Sequence, residues 1–175
     1  MVRTLTLVAV VASALTSACA AGPAGRPVPQ PFPRPGATPA PSETETLAAP
    51  PAGLTEGYAI AGTALALRGV PYRNGGGDPS GFDCSGFVWY VFARHHITVP
   101  RTVADQYRAG QPVGTSLGAG DLLFFNTTGS GPSHVGIAIG GDEFVHAPSS
   151  TGEVRVERLG SSYWSARFVG ARRLL

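Results

Sequence analysis

Hydrophobic and polar positions along the chain fall into two regimes, and the change comes near Asp121. Before it, apolar residues recur at helical spacing. Tyr58, Ile60, Ala61, Ala64, Leu65 and Leu67 predict a helix near the start of the folded domain at Leu54, capped by Thr55 and ended by Gly69, with Pro71 beyond. Phe87, Val88, Val91 and Phe92 predict a second helix over 84–95, with Asp83 at its N-cap position. Pro100-Arg101-Thr102 opens a third, short helix through Asp105, Gln106 and Tyr107. Between the first two helices, Tyr72 to Gly81 is a loop rich in turn residues. After Asp121 the period changes. Leu122 to Phe125 is a continuous apolar run, the mark of a strand buried on both faces. In His134 to Ile139 the residues alternate, with Val135, Ile137 and Ile139 on one face and His134, Gly136 and Ala138 on the other. Gly140-Gly141-Asp142 turns the chain into Phe144-Val145-His146. Val154 to Leu159 and Phe168 to Leu174 read as further strands. Helices first and an antiparallel sheet afterwards predict an α+β fold, with the N-terminal helices packed on the sheet.

The chain upstream of Leu54 has no core-forming pattern and divides in two. Residues 1–19 have the order of an export signal: Arg3, an apolar run from Leu5 to Leu15, then Ser17, Ala18, Cys19 and Ala20. The apolar run is too short to span a bilayer. Residues 20–53 hold ten of the sixteen prolines, spaced by Ala, Thr and Ser, and predict an extended tether. In polyproline geometry such a segment reaches on the order of 90–100 Å. Residues 54–175 are then the folded domain.

Charge narrows the function only by exclusion. The formal net charge is +2 and charged residues make up 14% of the chain. All the basic side chains are Arg and they are scattered, so nucleic-acid binding has no support. A length of 175 residues allows one domain with appendages, and a monomer is expected.

The chemistry gathers around Asp83-Cys84-Ser85-Gly86-Phe87. Cys84 falls at the first turn of a buried helix, where the positive end of the helix dipole favours thiolate. The competing reading is a small buried hydrophobe, the ordinary fate of a free cysteine. The other cysteine, Cys19, lies in the leader, so no disulfide is expected. Of the four histidines, His95 and His96 end the helix that Cys84 begins, about three turns away, and read as surface residues. His134 and His146 stand in consecutive strands among small and apolar residues. Chemistry at a thiolate needs a base and a group that orients it; each histidine alone could be a satisfied core residue, and two on one hairpin weaken that reading.

Six segments, in order, resemble the successive motifs of the NlpC/P60 family. They are Tyr72-Arg73-Asn74-Gly75-Gly76, Phe82-Asp83-Cys84-Ser85-Gly86-Phe87, Pro100-Arg101-Thr102, Gly120-Asp121-Leu122-Leu123-Phe124-Phe125, Ser133-His134-Val135-Gly136-Ile137 and Phe144-Val145-His146-Ala147-Pro148. The family comprises bacterial cell-wall cysteine peptidases with a circularly permuted papain-like fold, whose typical members cut the γ-D-glutamyl bond to a diaminopimelate-type residue in peptidoglycan stem peptides. The resemblance implies Cys84 as nucleophile, His134 as general base and acid, and His146 as the residue orienting His134. It implies the Cys84 N–H and the Tyr72 hydroxyl as oxyanion donors, Asp83 and Ser85 at the substrate, and no metal or other cofactor. Asn74 departs from the pattern, since members often carry Trp there, and that position flanks the cleft. Leu15-Thr16-Ser17-Ala18-Cys19 resembles a bacterial lipobox, which implies acylation of Cys19 and an exported, membrane-anchored lipoprotein of the cell envelope, facing the periplasm in a Gram-negative cell. Thr16 and the early Leu15 depart from that pattern, and cleavage after Ala18 or Ala20 is the alternative.

Three other readings compete. Related papain-like families include muramoyl-alanine amidases and lipid acyltransferases. A tethered, non-catalytic wall-binding lipoprotein would need none of the chemistry. Cys84, His134 and His146 could also hold a catalytic zinc, although no metal-site spacing supports it. One geometric expectation tests the imidazole pair directly. Residues opposite one another in an antiparallel pair share a face. A two-residue Gly140-Gly141 turn sets His146 opposite Val135 and turns it away from His134. A shared face therefore requires a three- or five-residue loop, or a bulge, and the rings should meet on the side of the sheet facing Cys84.

Overall fold

The computed structural model describes residues 52–175. The expected export signal, the expected lipobox with Cys19 and the expected tether up to residue 51 lie outside the described residues.

Helix α1 spans Ala52–Ala66 and begins ahead of the expected cap, so Thr55 lies inside its first turn and does not cap it. Its buried face is Gly57, Ile60, Ala61 and Ala64, while Tyr58 is exposed. Gly57 is the point of closest approach: a Cβ there would stand 2.2 Å from the Ala119 carbonyl oxygen. Gly69, at φ 84°, follows the helix as expected. The loop that follows contains a small hairpin, β1 (Gly77–Asp78) and β2 (Gly81–Phe82), which the turn-rich sequence conceals. Helix α2 spans Cys84–Ala93 with its expected N-cap, Asp83, and α3 spans Val103–Arg108 with Thr102 as its N-cap.

A six-stranded sheet follows, in the order β3-β8-β4-β5-β6-β7, with every pair antiparallel. Its strands are β3 (Gln111–Val113), β4 (Leu122–Phe125), β5 (His134–Gly140), β6 (Glu143–His146), β7 (Arg155–Arg158) and β8 (Phe168–Arg173). The expected strands are present. The edge strand β3 and a single-turn helix, α4 (Ser162–Ser165), are additions: Gln111-Pro112-Val113 is too short to show alternation, and Ser162–Ser165 is too short to show a helical period.

The sheet separates two cores. On one face Leu122, Phe124, Val135, Ile137 and Val145 pack with Ile60 of α1 and Phe87, Val88, Val91 and Phe92 of α2. On the other Leu123, Phe125, Ala138, Phe144 and Ala171 pack with Trp164 of α4. That second core explains why all of Leu122 to Phe125 is buried.

The β5–β6 hairpin turns through Gly141-Asp142, and the register slips between Ala138 and Gly140, leaving Ile139 as a bulge. Beyond the bulge Ile137 pairs with Val145, and the same register carried one step further sets His146 against Gly136. His134 and His146 therefore share a face, by the bulge route. Gly140 at φ 109° and Gly141 at φ 60° adopt the backbone this turn requires.

Candidate active site

The Cys84 end of the site is built on the first turn of α2. The Asp83 carboxylate accepts from the Gly86 N–H at 2.6 Å, which caps the helix. It also takes the Arg101 guanidinium in two bonds, 3.0 Å to Oδ1 and 2.7 Å to Oδ2. Arg101 donates as well to the Ser85 hydroxyl and to the Gly76 carbonyl, each at 3.0 Å. Gly86 has no room for a side chain, since a Cβ would sit 2.0 Å from the Gly76 oxygen and 2.8 Å from Arg101. Gln106, fully buried on α3, donates to the carbonyls of Ser85 and Pro100 and fastens α3 to this turn. Arg101 and Gln106 are organising residues to which sequence reasoning gave no role. Arg101 was visible only as part of a motif, and a buried Gln has no sequence mark.

This network defines the charge around the thiol. Burial works to raise the Asp83 pKa, but the Arg101 guanidinium, the Gly86 N–H and Ser85 outweigh it and hold the carboxyl below its ordinary value. For Cys84 the balance runs the other way. Burial first, then the Asp83 charge, push the thiol up, partly offset by the N–H groups of Ser85, Val135 and Cys84 itself. Burial and the Asp83 charge thus oppose the thiolate that the helix start favours. Tyr72 lies within the influence of both Cys84 and Asp83. Burial and those two negative groups raise its pKa, so its hydroxyl stays protonated and able to donate. Asp83 and Ser85 are already engaged, and a substrate amine would compete with Arg101 for them.

The imidazole end lies at the start of β5. His134 Nε2 and His146 Nδ1 are 2.7 Å apart, with the rings edge to face. Trp164 holds both: it stacks on His134 at 5.5 Å and meets His146 edge-on at 5.0 Å. Trp164 comes from α4 and was absent from the sequence reading. The pair occupies the sheet face that carries Trp164 and Phe144, not the face packed by α1 and α2, which corrects the expected side. Parity fixed which residues share a face but not which core that face meets. Cys84 reaches β5 at Val135, the neighbour of His134. Among the described residues no hydrogen bond joins the thiol to an imidazole. Desolvation lowers the pKa of His134 to about 4 and pushes that of His146 lower still, with help from His134 and Arg155. Both rings rest neutral at pH 7.

A cleft of about 200 Å³ opens on His134, lined by Thr127, Thr128, Ser149, Ser150, Tyr163 and Trp164. A larger hollow of about 360 Å³ between Arg68, Glu153 and Val156 holds none of the expected site residues. His95 is half-buried, not simply on the surface: its Nε2 bonds the Thr63 hydroxyl at 2.8 Å and ties α2 to α1.

Comparison with known proteins gives one consistent family. Residues 69–173 match the model of the NlpC/P60 family. The chain is 46% identical over 110 residues to the probable peptidoglycan endopeptidase LytE of Bacillus subtilis, covering 63% of this chain and 32% of that protein. It is 41% identical over 125 residues to the gamma-DL-glutamyl hydrolase of the same organism, covering 69% of this chain and 30% of that protein. Over 113 residues it is 42% identical to the murein DD-endopeptidase MepH of Escherichia coli, covering 61% and 42% of the two chains. The chain thus spans less than half the length of these relatives. Among solved structures, an NlpC/P60 family protein from Bacillus cereus superposes with a TM-score of 0.64 at 34% identity, covering 68% of this chain and 40% of the other. The NlpC/p60 domain of the peptidoglycan hydrolase SagA superposes at 0.59 with 39% identity, covering 67% and 98%. The matched stretch takes in Tyr72, Cys84, His134 and His146, runs over more than half of the chain, and makes it a member of the NlpC/P60 family.

Proposed function

We propose that this chain is a peptidoglycan hydrolase, a cysteine endopeptidase that cuts the D-glutamyl-γ-diaminopimelate type of bond in cell-wall stem peptides. The observation that carries the reading is the 2.7 Å bond between His134 Nε2 and His146 Nδ1, which leaves His134 Nδ1 as the nitrogen available to a thiol. A neutral imidazole beside a neutral thiol is the state in which a general base acts. His134 takes the Cys84 proton as the sulfur attacks the γ-carbonyl carbon, and the developing oxyanion lies near the Cys84 N–H and the Tyr72 hydroxyl. When the C–N bond breaks, the imidazolium returns that proton to the leaving amine, and a thioester remains on Cys84. Water attacks the thioester with His134 again as base, releasing the γ-carboxyl product and the thiol. The cleft on His134, lined by threonine and serine hydroxyls, supports a place for the stem peptide beside the base.

The relatives support hydrolysis of the wall peptide but divide over the bond. One is a gamma-DL-glutamyl hydrolase and another a DD-endopeptidase, and the second name favours an alternative in which the crosslink between stem peptides is cut. Mass spectrometry of defined muropeptides decides between them. With the full-length chain, the γ-D-glutamyl reading expects release of the diamino acid or its peptide from uncrosslinked stems. Conversion of crosslinked dimers to intact monomers would replace that reading, and activity retained by Cys84→Ala would remove the thiol mechanism.

The envelope location belongs to the same proposal. The Leu15 to Cys19 order supports an acylated Cys19 holding the catalytic domain to a membrane by the proline-rich segment. Palmitate labelling of the wild type, absent in Cys19→Ser, is the expected outcome. A soluble, unlabelled form starting at Ala20 or Ala21 would refute it.

A further inference from the structure

We propose that Glu157 is a positioning residue for the imidazole pair: it accepts the Nε2 proton of His146 and so selects the tautomer in which His134 offers a bare Nδ1 to Cys84. This rests on the reading of Cys84 as nucleophile and His134 as base.

The register across the outer strands brings Glu157 there. Between β6 and β7, His146 pairs with Arg155 and Phe144 pairs with Glu157. Opposed residues share a face, so Arg155 and Glu157 both lie on the face of His146, with Glu157 as its diagonal neighbour. His134, His146 and Glu157 thus form a slanted row across β5, β6 and β7. The carboxylate is held from its far side, because the Trp164 indole N–H donates to Glu157 Oε2. Glu157 Oε1 then faces two nitrogens, His146 Nε2 at 3.9 Å and Arg155 Nε at 3.2 Å. Neither nitrogen has a hydrogen-bond partner among the described residues, and His146 is fully buried. A buried ring nitrogen without a partner is rare enough to require a cause. Closing the gap to hydrogen-bond length takes a shift of about 1 Å, within the reach of a glutamate side chain.

Proton bookkeeping along the row leaves one consistent arrangement. If His134 Nδ1 is to accept the thiol proton, the His134 proton sits on Nε2. That proton is donated to His146 Nδ1, which must then be bare. The His146 proton is therefore on Nε2, where the carboxylate stands nearest. The groups facing His146 are His134 from β5, Arg155 and Glu157 from β7, and the uncharged Trp164 from α4. The Arg155 guanidinium works against an imidazolium, so the carboxylate chooses a tautomer without charging the ring. A purely structural Glu157 would serve only to anchor Trp164 and Arg155.

Imidazole nitrogen shifts of the 15N-histidine-labelled full-length chain at pH 7 test this. In the wild type, His146 should show a protonated Nε2 and a bare, hydrogen-bonded Nδ1; a proton on Nδ1 overturns the proposal, whether or not any variant folds. Glu157→Gln, whose amide can turn either its oxygen or its N–H group to the ring, should mix the two tautomers and lower kcat on a muropeptide the wild type cleaves by roughly tenfold or more, with KM within about twofold. Trp164→Phe, which keeps the carboxylate and removes the indole donor, should retain the wild-type His146 tautomer. Unchanged shifts and unchanged kcat in Glu157→Gln overturn the proposal, as does a kcat loss in Glu157→Gln with the tautomer unmoved. If Cys84→Ala stays active, the nucleophile reading falls, while the nitrogen shifts still decide Glu157.

Discussion

The two faces of the central sheet are built on different principles. The face under α1 and α2 has an apolar centre, with Phe87, Phe92, Phe124 and Ile137 fully buried, and Tyr72 and Cys84 pack only at its half-buried margin. The opposite face buries nearly as well but carries His134 and His146 among Phe125, Phe144 and Trp164. One face stores stability. The other spends some of it, because two buried imidazoles are held below their ordinary pKa with an unpartnered nitrogen between them and Glu157. Active sites commonly break the packing rule in this way, and the breach is confined to one side of the sheet.

Substitutions on each face should therefore be read by different instruments. The largest effect expected is His134→Ala, which should remove muropeptide hydrolysis by about 10³-fold or more while the melting temperature holds or rises, since a buried polar ring goes. Equal losses of activity and stability would erase the distinction. Phe87→Ala on the apolar face should do the reverse. It should cost about 3–5 kcal/mol in denaturant unfolding, with the surviving folded fraction still active.

A pH series separates the faces again. His134 titrates near pH 4 when folded against an ordinary 6.5, so the unfolded chain binds the extra proton. Stability from this ring is complete above pH 6.5 and falls as pH drops toward 4, by on the order of 3 kcal/mol at the lower end. The acid limb of hydrolysis should likewise lie well below 6.5; a limb at 6.5 would show that the buried ring charges in the resting enzyme. Smaller is Gly136→Ala, whose Cβ would meet Phe144 at 2.6 Å and the His146 Cβ at 3.1 Å. It should cost about 1–3 kcal/mol and disturb the His134–His146 bond, seen as a shift of the imidazole nitrogens. The smallest and sharpest is Asp83→Asn, which keeps a capping side chain but removes the charge that helps to raise the Cys84 pKa. Iodoacetamide alkylation of Cys84 should begin at lower pH in Asp83→Asn than in the wild type. Identical profiles would show that burial alone sets the thiol.

The local pattern carried the helices and most strands because each presents enough residues to show its period. Phe87, Val88, Val91 and Phe92 mark the buried face of α2, and Asp83 marks its start by its capping chemistry, whereas Thr55 falls inside α1. It failed for β3 and α4, where so few residues show no period. Cys84, His134 and His146 stood out as chemistry-bearing types at positions where such types are unexpected. Their partners did not, since Arg101, Gln106, Glu157 and Trp164 are ordinary residues until another segment arrives beside them.

By itself, then, the sequence determined the order of elements, the helix-start cysteine, and the parity that obliged His134 and His146 to share a face if a bulge or odd loop intervened. These are properties of neighbours along the chain, set by periodicity, capping and glycine conformations. Only the tertiary structure decided that Ile139 is the bulge, that the imidazoles face Trp164 and not the helices, and that burial works against the thiolate. Those outcomes depend on which core covers each sheet face and on how much water is excluded there. Desolvation and diagonal contacts between strands arise from residues far apart in sequence, and they exist only once the sheet has been assembled and covered.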